Sequence, residues 1–126
     1  MTTSEERTAL GLLAGLRSRG WVFSLQHFPD RPDDVDSVFG SYTYRDVYDT
    51  LRFWSATEAY AARVRLDVAG GVYPPRPEYL WNFSGTLCAA IDELTRLPHP
   101  DAHNAPKLVV PEPVSPSRPC APRRVG

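Results

Sequence analysis

Five aromatic and arginine residues recur along a central stretch of the chain, and they are its clearest candidates for a binding surface. They are Tyr42, Tyr44, Tyr48, Arg52 and Trp54. Tyrosine, tryptophan and arginine contribute most of the binding free energy in many protein interfaces, and aromatic rings also stack on nucleic-acid bases. An exposed sheet face would make these residues an interaction surface, whereas a sheet covered by helices would send part of them into the core. The sequence leaves both interpretations open.

A second candidate binding element lies in the proline-rich C-terminal segment. Four prolines recur there at every third residue: Pro113, Pro116, Pro119 and Pro122. A polyproline II helix has three residues per turn, so it would align these prolines along one edge. Pro119, Pro122 and Arg124 also fit the proline-x-x-proline-x-arginine pattern that aromatic grooves bind. A biased coding sequence produces such patterns without any partner, and the sequence does not decide between the two explanations.

The possible metal ligands have unfavourable spacing. Four aspartates cluster after the first predicted strand: Asp30, Asp33, Asp34 and Asp36. They lack the alternate oxygen positions and the glycine bend of a calcium loop. His99 and His103 could bind zinc, but the prolines beside His99 prevent the helix that would bring both rings to one side. We therefore expect a solvated acidic loop, no metal and no other cofactor.

Few side chains could serve in nucleophilic catalysis. Cys88 lies next to the apolar stripe of a predicted helix and is expected to pack as a small hydrophobic side chain, while His27 lies in a predicted strand. The sequence contains neither a glycine-rich phosphate loop nor a nucleophile elbow. Cys88 and Cys120 are too few for a disulfide framework, so we expect free thiols. We therefore expect a protein that is not an enzyme.

Length and charge favour a single domain that is not specialised for nucleic acid. The chain has 126 residues, which is enough for one hydrophobic core. Residues up to Leu97 include 10 basic and 13 acidic side chains, a net charge of −3, which is unsuited to neutralising phosphates. The preferred function is therefore a binding or regulatory module that acts through a protein partner. The alternative is a nucleic-acid-binding accessory protein that uses the same aromatic face, with these arginines as phosphate contacts: Arg45, Arg52, Arg63 and Arg65.

The chain shows no signal for export or membrane insertion. Glu5 and Glu6 lie where a secretory signal would have positive charge, and glycines and arginines interrupt the apolar residues that follow. No apolar run approaches the roughly 20 residues that a membrane helix needs. We expect a cytoplasmic protein. The preference for arginine over lysine, with abundant alanine and proline, indicates a GC-rich bacterial coding sequence.

The hydrophobic periodicity predicts the helices and strands that position these candidate residues, and together they form an α+β domain. The predicted elements are a helix over Ser4–Arg19, strands over Trp21–Phe28, Ser37–Tyr44 and Val47–Trp54, a helix over Ala56–Arg63, a strand over Glu78–Phe83 and a final helix capped by Ser84. Pro29–Asp36 is predicted as a hairpin loop. The result is an antiparallel sheet of about four strands with helices on one face, in the order α-β-β-β-α-β-α.

Two patterns overlap in the segment of the middle helix. Ser55 and Glu58 have the spacing of a capping box, and the alanine-rich residues that follow favour a helix on propensity. From Tyr60 to Val68, however, apolar residues also alternate as they do in a strand. The sequence leaves helix and strand open for this segment.

The first five predicted elements resemble double-stranded-RNA-binding domains in their order. That family opens its second helix with lysines that clamp phosphates, whereas Ala56, Thr57 and Glu58 occupy the matching positions here. The resemblance therefore implies a topology and no RNA binding.

The C-terminal part of the chain has the composition of a tail. Residues 98–126 contain 8 of the 13 prolines and few large apolar residues beyond Leu108, Val109 and Val110. Such a segment buries too little apolar surface to offset the entropy of ordering it. We expect a globular domain over residues 1–97 and a flexible, disordered tail over residues 98–126.

Overall fold

The computed structural model describes residues 4–66 and 78–111. Their secondary structure forms an α+β fold, which confirms the predicted class. The elements in chain order are α1 (Ser4–Ser18), β1 (Val22–Phe28), β2 (Arg31–Thr43), β3 (Val47–Ser55), β4 (Glu58–Arg65), β5 (Glu78–Gly85) and α2 (Leu87–Arg96). The strands form one antiparallel sheet in the order β1-β2-β3-β4-β5, so each strand pairs with its neighbours in sequence.

Strand β4 occupies the residues that were predicted to form the middle helix. The prediction of a helix over Ala56–Arg63 is therefore wrong, and the element order differs from that of double-stranded-RNA-binding domains. Ser55 belongs to a hairpin turn, where its hydroxyl oxygen accepts a hydrogen bond from the Thr57 amide at 3.3 Å. Ala59 and Ala61 are two residues apart and so lie on the same face of β4. Their small side chains let helix α2 pack against the strand.

Strand β2 starts inside the segment that was predicted to be an acidic loop. The loop prediction over Pro29–Asp36 is wrong beyond its first two residues, since β2 begins at Arg31. Pro32 is tolerated because β3 pairs with β2 only from Val38 onward, so the missing proline amide removes no hydrogen bond to β3. The pairing of this part of β2 with β1 is irregular, with register shifts on both sides of His27.

Local hydrogen bonds fix the helix ends. At the start of α2 the Thr86 hydroxyl accepts the Ala89 amide hydrogen at 3.1 Å, so Thr86 is the N-cap, and Ser84, predicted for that role, belongs to β5. After α1, Gly20 has a φ of 106°, in the left-handed region that favours glycine, and its amide donates to the Arg17 carbonyl at 3.0 Å. Of the helices in the described ranges, neither is long and apolar enough to cross a membrane.

Both helices pack on one side of the sheet, which we call the helix face. Helix α2 contacts β3, β4 and β5, and α1 packs beside α2. The core between helices and sheet consists of small and apolar residues, which are Ala9, Leu16, Leu51, Ala59, Ala61, Leu87, Ala90, Ile91 and Leu94. Larger rings, including Trp21, Phe23 and Phe53, pack around this core and remain partly accessible. The opposite side of the sheet, which we call the open face, carries neither helix.

Residues 98–111 contact the domain, although the sequence predicts a tail from residue 98. The Pro98 carbonyl accepts a hydrogen bond from Arg63 Nη1 at 2.8 Å. The His99 ring lies 5.2 Å from the Tyr44 ring, measured between centroids, in an edge-to-face arrangement. A backbone carbonyl and a single ring make these contacts, and hydrophobic periodicity detects neither.

The far end of this segment reaches the edge strand β5. The Val110 amide donates to the Tyr79 carbonyl at 2.7 Å and forms an isolated antiparallel bridge. The Lys107 carbonyl accepts a hydrogen bond from Arg65 Nη2 at 3.3 Å. Residues 112–126 lie outside the described residues, and so do the contacts predicted for the proline-rich segment at Pro119, Pro122 and Arg124.

Candidate functional site

Three of the five predicted contact residues lie together on the open face. Side chains of β3 alternate between the two faces, and Leu51 belongs to the core on the helix face. Tyr48, Arg52 and Trp54 therefore lie on the opposite side, where each is half-buried. These three residues share a face because they belong to one strand and even numbers of residues separate them.

The other two predicted contact residues lie on the helix face. Tyr42 pairs with Asp49 across β2 and β3, and both tyrosines line a cavity together with Leu16 of α1 and Leu94 of α2. Tyr42 and Tyr44 are therefore separated from the open-face residues by the thickness of the sheet. The structure does not bring the five residues into one surface.

Arg52 lies at the centre of a row of residues that crosses the open face. The register aligns one residue from each strand in this row: Ser24, Phe39, Arg52, Tyr60 and Ser84. The Arg52 guanidinium lies 5.6 Å from the centroid of the Phe39 ring and 5.9 Å from that of the Trp54 ring. Arg52 forms no ion pair within residues 4–66 and 78–111. A cation held between rings can meet a partner's carboxylate while the rings bury apolar surface.

A row of smaller residues runs beside the row of Arg52. Its members are Ser41, Thr50, Ala62 and Asn82. Thr50 and Ala62 are buried although neither helix covers them, because the larger side chains of the flanking rows exclude water. A shallow cavity of about 280 Å³ opens between Phe39 and Tyr48 at this row.

Aromatic rings form a connected line on the helix face. The Trp21 and Tyr42 centroids are 6.4 Å apart, and those of Tyr42 and Tyr44 are 4.9 Å apart. The line continues to His99 and borders a cavity of about 330 Å³ that Arg19 also lines. This cavity lies where the C-terminal ends of both helices meet the sheet.

A buried ion pair lies behind this aromatic line. Arg63 Nε donates to Asp49 Oδ1 at 2.7 Å, and Arg63 Nη2 donates to Asp49 Oδ2 at 3.0 Å. The two side chains are 1% and 5% exposed, and the Pro98 carbonyl engages the remaining arm of the guanidinium. Because both carboxylate oxygens are occupied, this pair positions the C-terminal segment and does not offer a free charge to a ligand.

Tyr44 lies against this pair. Its ring centroid is 5.5 Å from the Arg63 guanidinium carbon. Burial raises the pKa of the Tyr44 phenol above its usual value, and the negative charge of Asp49 adds to that increase, whereas Arg63 opposes it. The phenol is therefore held neutral over the physiological range.

The four arginines proposed as phosphate contacts are separated by the fold. Arg63 is buried on the helix face, and Arg65 pairs with Glu78 at 3.2 Å. Arg45 lies in the connection between β2 and β3, and Arg52 lies on the open face. These arginines do not form one basic surface.

Two of the residues considered for metal binding and catalysis form hydrogen bonds with the protein's own backbone. The described residues contain no group of three side chains that could hold a metal ion. His99 Nδ1 accepts a hydrogen bond from the Asp101 amide at 3.1 Å, and His103 is exposed. The Cys88 thiol donates to the Glu5 carbonyl at 3.8 Å and so connects the two helices.

Two residues of the open face were not among the predicted contacts. Phe39 lies in the same predicted strand as Tyr42 and Tyr44. Because side chains alternate between the faces of a strand, Phe39 is on the face opposite to these two tyrosines and was not grouped with them. Tyr60 was assigned to an element that could be helix or strand, which left its face undefined. Both residues become evident only once the register of β2, β3 and β4 is known.

Comparison with known proteins gives no match. No protein-family model, curated protein or solved structure matches this chain. Any functional assignment therefore depends on the geometry of the two faces.

Proposed function

We propose that this protein is a non-enzymatic binding module that acts through a protein partner, and that the open face is its contact surface. The supporting observation is the Arg52 guanidinium between the rings of Phe39 and Trp54, on the side that neither helix covers. Arginine, tryptophan and tyrosine most often dominate the binding free energy of an interface. Tyr60 extends this surface within the same row, and Tyr48 lies across the row of small residues.

The open face favours a partner with a particular chemistry. Arg52 would pair with a carboxylate of the partner, and a guanidinium flanked by rings holds a planar carboxylate in a defined orientation. The shallow cavity between Phe39 and Tyr48 would receive an apolar side chain of the partner. We therefore expect a protein surface with an acidic residue beside an apolar one.

The proposal also assigns the protein to the cytoplasm. Cys88 is a free thiol, and free thiols are typical of reducing compartments. Its contact with the Glu5 carbonyl gives the thiol a structural role between the helices, in keeping with a protein that binds without catalysing a reaction.

Site-specific photo-crosslinking in cells of the native host tests the proposal. A photo-crosslinking residue at Thr43, which is exposed and lines the open-face cavity, should form a discrete adduct with a protein. The same residue at Ser18, exposed on α1, is the matched control and should not form it. Arg52→Glu should lower the Thr43 adduct at least about tenfold, because one lost charge pair at a desolvated contact is worth about 1.4 kcal/mol or more.

The same experiment separates the two functions considered. Protease should digest the adduct, and nuclease should leave it intact. An adduct that survives Arg52→Glu would contradict a contact through the open face, provided that the variant unfolds at the parent's temperature. Digestion by nuclease would instead favour the nucleic-acid-binding alternative.

A further inference from the structure

The two edge strands of the sheet differ in what lies beside them. At β5, the segment of residues 98–111 adds a bridge between Val110 and Tyr79. Strand β1 forms the other edge, and within residues 4–66 and 78–111 it pairs with β2 alone. The outer side of an edge strand carries main-chain N–H and C=O groups that no neighbouring strand engages, so it can pair with another extended chain.

Strand β1 lacks most of the features that prevent such pairing. Edge strands are commonly protected by charged side chains, prolines or bulges. The sequence of β1, VFSLQHF, contains no proline, lysine, arginine or carboxylate. Its register against β2 is regular from Val22 to Gln26 and shifts only on the two sides of His27. A regular, uncharged stretch of the edge is therefore open to a second strand.

The same stretch exposes large apolar side chains. Val22 is 69% exposed and Leu25 is 56% exposed. Val22 pairs with Ser41 on the open face, and Leu25 pairs with Val38 on the helix face. Side chains directly opposite each other on neighbouring strands come into contact, so a strand beside β1 would cover both residues. Burial of this apolar surface favours the pairing.

The charges at the two ends of β1 have opposite signs. Arg19 lies just before the strand and Asp30 just after it, and both are exposed. Neither forms an ion pair within the described ranges, whereas Arg31 pairs with Asp34 at 3.5 Å. If β1 pairs antiparallel with the β1 of a second copy, the start of each strand lies beside the end of the other. Arg19 of each copy then lies near Asp30 of the partner subunit, and this complementarity favours a second copy as the occupant.

From these observations we infer that the chain forms a homodimer in which the β1 strands of two copies pair antiparallel about a two-fold axis at Ser24. This register uses the whole regular stretch of β1. Phe23 lies opposite Leu25 of the partner subunit on the helix face, and Val22 lies opposite Gln26 of the partner subunit on the open face. Each Ser24 lies opposite its own copy.

The geometry limits the assembly to two chains. Both copies use the same edge, so the interface is isologous and closes at a dimer. The two sheets join into one sheet of ten strands, with all four helices on one side and both open faces on the other. The inference does not depend on the proposed function, but it would present two copies of the proposed contact surface side by side.

Sedimentation velocity of the full chain at increasing concentration tests the inference. We expect a reversible change from a species of 14.1 kDa to one of twice that mass, since a small interface gives an equilibrium that depends on concentration. Arg19→Glu should weaken the dimer, and addition of Asp30→Arg should restore it, because the double variant reverses both charges of each pair.

Charge substitutions at the two-fold axis test the register. Ser24→Lys and Ser24→Glu should each weaken the dimer severalfold, because each places like charges directly opposite each other. An equimolar mixture of these two variants should dimerise at least as tightly as the parent, because unlike charges then meet. Ser84→Lys is the matched control, since Ser84 is exposed in the same row at the opposite edge of the sheet, and it should leave the dimer unchanged.

Four results would overturn the inference. The first is a single species of 14.1 kDa at every concentration. The second is a dimer that both Ser24 variants leave unchanged, or a mixture of them that stays monomeric. The third is loss of the dimer on Ser84→Lys, or growth beyond two chains, since either would involve the β5 edge. The fourth is loss of the dimer on Arg52→Glu, which would locate the interface on the open face; an unchanged dimer in that variant keeps this inference separate from the proposed function.

Discussion

Among single residues, Arg63 has the largest expected effect on stability, because it neutralises a buried carboxylate. Arg63→Met should lower the free energy of unfolding by roughly 3–5 kcal/mol, since Asp49 would stay buried without a counter-charge. Adding Asp49→Leu should recover part of that loss, because no buried charge then remains. Urea unfolding followed by tryptophan fluorescence measures both variants. A double variant less stable than Arg63→Met would show that the pair itself, and not the avoidance of an unpaired charge, stabilises the fold.

We expect Tyr44 to make the free energy of unfolding depend on pH in the alkaline range. Its pKa is raised in the folded state above the usual value of 10.0, first by burial and then by Asp49. Because the folded pKa is the higher one, the contribution of Tyr44 is fully present below about pH 10 and is lost as the pH rises through the folded pKa. Tyr44→Phe should therefore reduce the loss of unfolding free energy between neutral and strongly alkaline pH. An identical loss in both proteins would show that Tyr44 ionises equally easily folded and unfolded.

At the scale of elements, the cap of α2 and the β3–β4 turn provide a paired test. Thr86→Ala removes the acceptor for the Ala89 amide and should cost about 1 kcal/mol of unfolding free energy. Ser55→Ala should cost less, because Ser55 is exposed and its hydroxyl bonds only within a tight turn. Thermal and urea unfolding of the two variants provide the comparison. A larger loss for Ser55→Ala would indicate that the turn, and not the helix cap, limits stability.

Periodicity predicted most elements correctly and failed where two signals competed. Helix α1 was predictable because its apolar residues recur at helical spacing, and β3 was predictable because it is rich in aromatic and β-branched residues. In β4, alanine favours a helix on propensity, yet Ala59 and Ala61 are buried under α2. Contact with another element decided the structure of this segment, and no local pattern contains that information.

The candidate site was predictable within one strand and not across strands. Tyr48, Arg52 and Trp54 share a face because even numbers of residues separate them along one strand, four and then two. Placing Phe39 beside Arg52 requires the β2–β3 register, which depends on pairing between distant residues. The buried ion pair was hidden for the same reason, since it forms only after β4 pairs with β3.

For the whole molecule, the contacts of residues 98–111 determine where the folded domain ends. A chain ending at Leu97 should have a thermal midpoint at least about 5 °C below that of a chain ending at Pro111, a difference of about 1 kcal/mol for this size. The shorter chain loses the Pro98 carbonyl that engages Arg63 and the Val110 bridge to Tyr79. Both chains lack residues 112–126, so the comparison isolates this segment. Equal midpoints would support a domain boundary at Leu97.

The order of the sheet also has a consequence for synthesis on the ribosome. Each strand pairs with the next one along the chain, so hairpins can form as soon as their residues emerge. Helix α1, made first, packs against α2, made after all five strands. Until residues 87–96 emerge, Leu51 of β3 and Ala59 and Ala61 of β4 lack the helix that packs against those strands. A message cut short before α2 would therefore encode a sheet with an uncovered apolar side, which chaperones and proteases recognise, rather than a smaller working protein.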